Sequence, residues 1–495
     1  MPADAVARTA AVEASAAGTV APVAPAPPTG TVAAGGQLRR SLSLTGATMT
    51  STGLAFAVID YIAIVSVLTY TGGASTWLAI LIAGLLILLV SGLFSELNGL
   101  YPTAAGIRLY MARAMGERFS LVVTFAYLTS VLLVIAADAF LIGSAIQHVV
   151  GGPSIAAYAW IIGLLAFAVG GNLGGVRIAG RLQAIVTATV LLSTLALSVT
   201  SLFTVHGTYG HPFNIFGRGA YHGVEALVYA VFVFAAFEWV TTAAEEVNSP
   251  RLITRALFIA PIILFAVSAI FSVATAHAVP IGRAHHSSYP QLLVGKAALG
   301  EAGMFWMLGV TMVAAVNTFN GGFLVASRFM YAAAREGLLP RVFSKLNLKA
   351  VPWAAVLFLG LASGVVAAVV FATGQWLLLV AVGSVLEAGI YAAASWCVLV
   401  LRRREKDRVR TFKLVMFKPL AVFGMVVFAV LMLVGAFSDP KHPSHLSIAP
   451  AAVVVALLIL STGYVFGAVP RIKAKAATRA AASRPRRRPQ RQEAT

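Results

Sequence analysis

The sequence predicts an all-α integral membrane protein with twelve transmembrane helices. Three observations carry that prediction. Hydrophobic residues make up 59% of the 495-residue chain and charged residues 11%, with a mean hydropathy of +0.88; a soluble domain of this length needs far more charge to cover its surface. Twelve long apolar segments follow one another between about Leu44 and Val469, and a spanning helix needs roughly 20 such residues. The basic residues also take sides. If the segments alternate across a bilayer from a near face that holds both termini, only Arg218, Arg283, Lys296 and Lys441 of the 36 lysines and arginines fall on the far face. A Lys/Arg excess marks the cytoplasmic side, so the expected location is the cytoplasmic membrane, multi-pass, with both termini cytoplasmic.

The elements follow in order. Residues 1–40 are rich in Ala, Pro, Val and Gly, and residues 1–36 are nearly uncharged. They lack the compact apolar core of a cleavable signal and are expected to form a disordered cytoplasmic arm. The expected spans are 44–70, 76–97, 119–149, 154–172, 181–204, 222–246, 254–278, 302–333, 352–373, 376–401, 414–437 and 447–469. Gly72-Gly73, Gly151-Gly152-Pro153 and Asp439-Pro440 separate several of them. The segment 279–301 reads as the longest far-face loop and as irregular. Residues 471–495 include Arg484, Arg486, Arg487, Arg488 and Arg491 and form a basic cytoplasmic tail attracted to anionic lipid. The formal charge of +19 therefore points to a membrane surface and not to nucleic acid. The single cysteine, Cys397, excludes an internal disulfide.

Two spans read as interrupted. The first contains the small polar run Thr50-Ser51-Thr52-Gly53; the sixth contains Ala235-Ala236 followed by Phe237 and the carboxylate of Glu238. Irregular backbone at membrane depth is tolerated where it lines a cavity or is buried in protein. Interruptions at matching positions of two halves, spans 1–5 and 6–10, mark the central site of a transporter. The sixth break is the fainter signal, since no Gly or Pro marks it.

Three stretches carry a family resemblance. Glu96-Leu-Asn-Gly-Leu-Tyr-Pro102-Thr-Ala-Ala-Gly106 resembles the end of helix two in amino acid–polyamine–organocation (APC) transporters of the amino acid permease type. Phe234-Ala-Ala-Phe-Glu-Trp-Val-Thr-Thr-Ala-Ala-Glu-Glu246-Val-Asn-Ser-Pro250 is similar to their helix six and its exit. Asn317-Thr-Phe-Asn-Gly-Gly and Ser327-Arg-Phe-Met-Tyr-Ala-Ala-Ala-Arg-Glu-Gly-Leu-Leu-Pro340 look like their helix eight and the loop beyond it, with Pro352 opening helix nine. The resemblance implies a leucine-transporter-like fold: a core over 41–410 made of two inverted five-helix repeats (about 44–204 and 222–401), then two peripheral helices over 411–470. It also implies a solute held between helices one and six. The sequence departs from the family where "G-S-G" of helix one reads Ser51-Thr52-Gly53, and where a helix-five lysine of proton-coupled relatives is missing, Val190 being nearest.

An α-amino acid presents a carboxylate and an ammonium. Free amides where helix one restarts, around Thr50, Ser51, Thr52 and Gly53, suit the carboxylate. Free carbonyls near Phe234, Ala235 and Ala236 suit the ammonium. The alternative for the hydroxyls is bonding back to their own helix. Asp60, Asp138, Glu238 and Glu387 are carboxyls within or near spans 1, 3, 6 and 10, and an ionisable group at that depth is a functional candidate. They are expected to serve proton coupling, cation recognition or structure, with Asp60 near the outer end facing a vestibule. Phe237 is expected to act as a lid; Tyr391, one turn beyond Glu387, is a second aromatic gating candidate; and Glu96, Glu246 and Arg328 are expected to form an inner gate. Gly322 suggests a roomy pocket. All nine histidines fall on the far side, where neutral histidine replaces disfavoured positive charge.

No nucleophile–base constellation or metal-ligand set sits at membrane depth, so an enzyme is not expected, nor a cofactor, a bound metal, a nucleic acid or a protein partner. A sensor would usually carry an output domain. The expected function is a secondary active transporter of amino acids by alternating access, as symporter or exchanger. Polyamines, organic amines or cationic amino acids are the alternative solutes. H+ is the expected coupling ion and Na+ stays open, since hydroxyls and carbonyls alone can bind it.

Overall fold

The computed structural model describes residues 42–103, 106–174, 180–205, 213–216, 218–244, 247–349, 351–439, 441–442 and 445–474 (backbone only for 180–183). The expected arm 1–40 and most of the tail 471–495 lie outside the described residues. Eleven described helices are long and apolar enough to cross a membrane, and the bent pair Leu44–Ala55 and Val58–Thr71 makes a twelfth span. Local chemistry sets many ends. Ser43 opens span 1, its hydroxyl accepting from the Gly46 amide at 3.1 Å, an N-cap. Span 1 stops at Gly72 (φ +80) and span 9, Trp353–Thr373, at Gly374 (φ +63), where the left-handed conformation suits glycine. Span 7, Pro250–Ala278, opens with Ser249 as cap and proline in its first turn.

Two connections contain helices, one of them against expectation. The far-face segment 279–301 is not irregular: it contains a helix at Ile281–His285 and another from Pro290, which turns at Leu299 and Gly300 (φ +62) into span 8. The turn lets Gly295 and Gly303 meet backbone to backbone; a Cβ on Gly303 would lie 2.1 Å from the Gly295 carbonyl oxygen. On the near face, a short helix at Gly106–Met115 joins spans 2 and 3.

Packing divides the core. Spans 1, 2, 6 and 7 lie against one another, and so do spans 3, 4, 8 and 9. Span 5 joins the sets through spans 1, 7 and 8, and span 10 through spans 2, 3 and 6. Close approach depends on small residues: a Cβ on Gly143 of span 3 would sit 2.6 Å from Ile161 and 2.8 Å from the Ala157 carbonyl of span 4, the small-residue contact common between membrane helices. Every residue from 51 to 71 of span 1 is buried; 83% of the apolar window of span 6 is buried, and span 12 is the least enclosed, at 11%. The last two spans are therefore peripheral. They are tied down nonetheless: just past span 11, the Ser438 hydroxyl meets Tyr70 of span 1 at 2.9 Å and Tyr229 of span 6 at 3.2 Å, and Tyr70 donates to the Asp439 carbonyl at 2.8 Å.

Far-face histidines make specific contacts. His148 stacks on Tyr289 at 4.3 Å, and the His222 Nδ1 meets Glu225 at 2.8 Å; His206 and His211 lie outside the described residues. Burial holds the His285 imidazole below the usual histidine range, and its Nε2 meets the Lys441 carbonyl at 3.2 Å. The folded protein thus favours neutral His285. Its contribution to stability is full above the ordinary histidine pKa of about 6.5 and is lost as pH falls below it. The drop in melting temperature between pH 7 and pH 5 is expected to be smaller in His285→Gln than in the unaltered protein, measured by thermal shift.

Candidate functional site

Span 1 breaks at Phe56-Ala57, beyond the Thr50–Gly53 run where the sequence placed it. Its first half ends at Ala55, Ala57 is extended (φ −96, ψ 172), and the second half restarts at Val58 after a 59° bend. The physical reason is hydrogen-bond satisfaction. Thr50–Gly53 stays helical, and Thr52 donates back to the Thr48 carbonyl at 2.8 Å. The Ser51 hydroxyl crosses to span 6 and donates to the Phe237 carbonyl at 2.6 Å. Gly53 offers its carbonyl to the Asn317 amide at 3.2 Å. The amides of the restart are therefore those of Ala57, Val58 and Ile59.

Those amides already face carboxyl oxygens. Ala57 N donates to Asp60 at 2.5 Å, while Val58 N and Ile59 N donate to the two oxygens of Asp138 at 3.2 and 2.8 Å. The first turn of a helix leaves such donors unpaired and its dipole favours anions. Asp60 is thus buried at the break, 2% exposed, and not in an outer vestibule. Asp138 reaches across from span 3.

Span 6 breaks where expected. Its first half, Ala220–Phe232, gives way to a turn over 233–236 and then a 3-10 helix, Phe237–Ala243. Ala236 carries the turn at φ +69, ψ 0, a left-handed conformation that costs a residue with a Cβ about 1 kcal/mol. Ala236→Gly removes that strain and is expected to hold or raise the melting temperature, whereas the branched Ala236→Val is expected to lower it. Two of the expected free carbonyls are in use: Phe234 O accepts from Phe237 N at 3.4 Å and Ala236 O from Trp239 N at 3.2 Å. Tight local turning satisfies them, and side chains supply the further polar groups at the break.

Those side chains are carboxyls. Glu238 is fully buried and accepts from Tyr127 of span 3 at 2.9 Å and from Tyr391 of span 10 at 3.1 Å. Glu387, 1% exposed, lies beside it; its Oε1 accepts from Ala236 N at 3.4 Å, Tyr391, Glu238 and Ser130 lie around its carboxyl, and its Oε2 makes no hydrogen bond within 3.5 Å. Between the breaks is a cavity of about 10 Å³ lined by Ala57, Ile59, Asp60, Ser130, Ala236 and Glu387 among others, room for about one water. An amino acid enters only if the surrounding spans part. The space beside Gly322 is not roomy: a Cβ there would meet Ile135 at 2.9 Å, and one on Gly321 would meet Leu54 at 2.4 Å.

The expected gates are arranged differently. Phe237 is fully buried, and its ring lies 6.5 Å from that of Tyr391; Tyr391 also packs on Phe94 and Phe428 and bonds Glu238. Tyr391 is therefore part of the acid cluster. Glu96 pairs with the Arg402 guanidinium through two bonds, lies 3.4 Å from Arg410, and accepts from Leu414 N at 2.9 Å. It anchors the loop between spans 10 and 11. Arg328 is half-buried near the near-face end of span 8, where Arg108 pairs with Glu336 at 2.6 Å. Glu246 lies outside the described residues.

Several contributors gave no sequence signal. Tyr127 and Ser130 reach the cluster from span 3. Thr187 of span 5 donates to the Met49 carbonyl and accepts from Asn317, both at 3.3 Å, joining spans 1, 5 and 8 with neutral groups only. Only the fold brings them together. Among the described residues, no group of three or more His, Cys, Asp or Glu could hold a metal.

A helical membrane bundle with spans 1 and 6 broken around a buried polar centre, and two further spans outside, has the leucine-transporter-like architecture. The family model for amino acid permeases matches residues 39–460, and the chain belongs to that family. Its relatives include an uncharacterized amino-acid permease of Schizosaccharomyces pombe, 25% identical over 53% of this chain and 50% of the relative. An uncharacterized amino acid permease of Bacillus subtilis is 25% identical over 58% of this chain and 66% of its own length. A vacuolar cationic amino acid transporter of Arabidopsis thaliana is 27% identical over 48% and 39%. The matched stretches thus span less than two thirds of each relative. Among solved structures, a manganese transporter of Eremococcus coleocola superposes with a TM-score of 0.56 over 87% of this chain and 94% of that one, at 13% identity, a likeness of fold alone.

Proposed function

We propose that the protein is a secondary transporter that moves an amino acid or a related amine across the cytoplasmic membrane by alternating access. One observation carries the reading: Glu387 lines the small cavity between the two broken spans, buried, with one carboxyl oxygen unpartnered. A buried carboxylate so placed suits an ammonium group, since an uncompensated charge at that depth is costly. Glu238 lies beside it as second acceptor, and Ala55, Ala57 and Ala236 keep the lining small. The buried carboxyls also suit H+ as the coupling ion. The basic bias supports a cytoplasmic near face.

The test is uptake into proteoliposomes of alanine, leucine, arginine, lysine and putrescine, with and without an inward proton gradient. Saturable uptake of at least one, accelerated by the gradient, is expected. Absence of both uptake and exchange in vesicles holding folded protein would overturn the reading.

A further inference from the structure

The restart of span 1 is where a solute carboxylate would bind if the transport reading above holds, and a carboxylate of the protein is already there. Both oxygens of Asp138 are engaged, one on Val58 N and one on Ile59 N. Helix 58–71 is fourteen residues long, so these are the donors of a full helix dipole. The neighbouring cavity also contains the unpartnered oxygen of Glu387. An α-amino acid offers one group to each place: its ammonium to Glu387 and its carboxylate to the two amides. Only the second place is taken.

We propose that Asp138 is an internal stand-in for the solute's carboxylate, and that transport of an amino acid requires Asp138 to take up a proton and release the amides of Val58 and Ile59. The balance is simple. One proton from water binds one oxygen of Asp138, and the resulting neutral acid holds the amides less strongly than the carboxylate did. The solute carboxylate replaces it, so one negative group is exchanged for another. When the solute leaves, Asp138 returns to the amides and gives up its proton. One proton thus accompanies each carboxylate-bearing solute. A solute without a carboxylate needs no such exchange.

The surroundings leave Asp138 suited to this. Asp60 faces it from the second half of span 1 and stays on Ala57 N. Thr318 lies beside it from span 8, whose charged groups Glu301, Arg328 and Arg335 sit toward its ends. Glu387 lines the adjoining cavity from span 10, and Glu238 touches span 3 three turns away at Tyr127. The helices of spans 4, 9 and 12 that pack on span 3, Ile155–Leu173, Trp353–Thr373 and Ala449–Gly463, contain no acid, lysine, arginine or histidine.

The experiment compares arginine with agmatine, its decarboxylated counterpart, by ligand-induced thermal shift and by uptake between pH 5.5 and pH 8.5; leucine and isoamylamine form a second pair. In the unaltered protein, amino acid affinity is expected to fall with rising pH by up to about tenfold per unit more than that of the paired amine, the slope of one linked proton. In Asp138→Asn that extra slope is expected to vanish while binding persists, and Asp138→Ala is expected to bind the amino acid most tightly at high pH. Equal slopes for the two members of each pair, uptake of amines with rejection of both amino acids at every pH, or an unchanged slope in folded Asp138→Asn would each overturn the assignment. The comparison of arginine with agmatine needs no variant, so a misfolded substitution does not block the test. Failure of the unaltered protein to bind any of the four compounds would instead overturn the transport reading.

Discussion

Replacing Glu387 by Gln is expected to lower the initial rate of uptake by about 100-fold, near 2.7 kcal/mol at 1.36 kcal/mol per factor of ten, while leaving the melting temperature within a few degrees. The substitution keeps the shape of the side chain and its acceptor toward Ala236 N, bonded at 3.4 Å. It removes the negative charge and puts an amide NH2, a donor, in place of the unpartnered oxygen. A solute ammonium then loses its buried counter-charge. Glu238→Gln has a different expected profile, because both oxygens of Glu238 are already held by Tyr127 and Tyr391. It is expected to depress uptake of arginine or lysine more than that of leucine. Initial rates for these solutes, beside melting curves of the same preparations, separate loss of recognition from loss of folding. A Glu387→Gln protein that keeps the unaltered rate would remove Glu387 from the site.

The second large effect is structural. Glu96→Ala is expected to destabilise the protein by about 3 kcal/mol, in the range seen when one partner of a buried pair is removed. The Glu96 and Arg410 side chains are each 3% exposed, and Arg402 is 18% exposed. Removing the carboxylate leaves the two guanidinium groups without it and frees the Leu414 amide. The loss is expected as a lower melting temperature and lower yield of folded protein. If Glu96 were instead an exposed gating charge, melting would be unchanged and only transport rates would move.

Most of the fold is legible in the sequence because burial in lipid is a long-range compositional demand. Each span has to be apolar along its length, and each face has to keep its charge sign, so span order and count follow directly. The first break illustrates what stays hidden. Thr50, Ser51, Thr52 and Gly53 look like an interruption in one dimension, but Ser51 finds the Phe237 carbonyl and Asn317 finds Gly53 only once spans 1, 6 and 8 are assembled. The true break at Phe56-Ala57 carries no glycine or proline. Its stabilising partner, Asp138, lies about 80 residues away in sequence. The break in span 6 was readable from Ala235-Ala236 because small residues tolerate close packing, yet the positive φ of Ala236 is not visible in composition. The acids of spans 1, 3, 6 and 10 were readable because depth makes them rare, and Tyr391 because it lies one turn beyond Glu387; Tyr127 was not, since tyrosine is common in membrane helices for many reasons.

The bonds from Ser438 to Tyr70 and Tyr229 bear on how the molecule can be trimmed or instrumented. A ten-span truncation ending near residue 410 would discard Ser438 together with the Leu414 amide that Glu96 holds, so spans 11 and 12 are not a removable jacket. The same bonds make the turn between them a mechanical readout. Ser438 touches the outer halves of both broken helices, so a fluorophore attached at exposed His445 would be well placed to report displacement of those halves from outside the core, without a label in the solute's path.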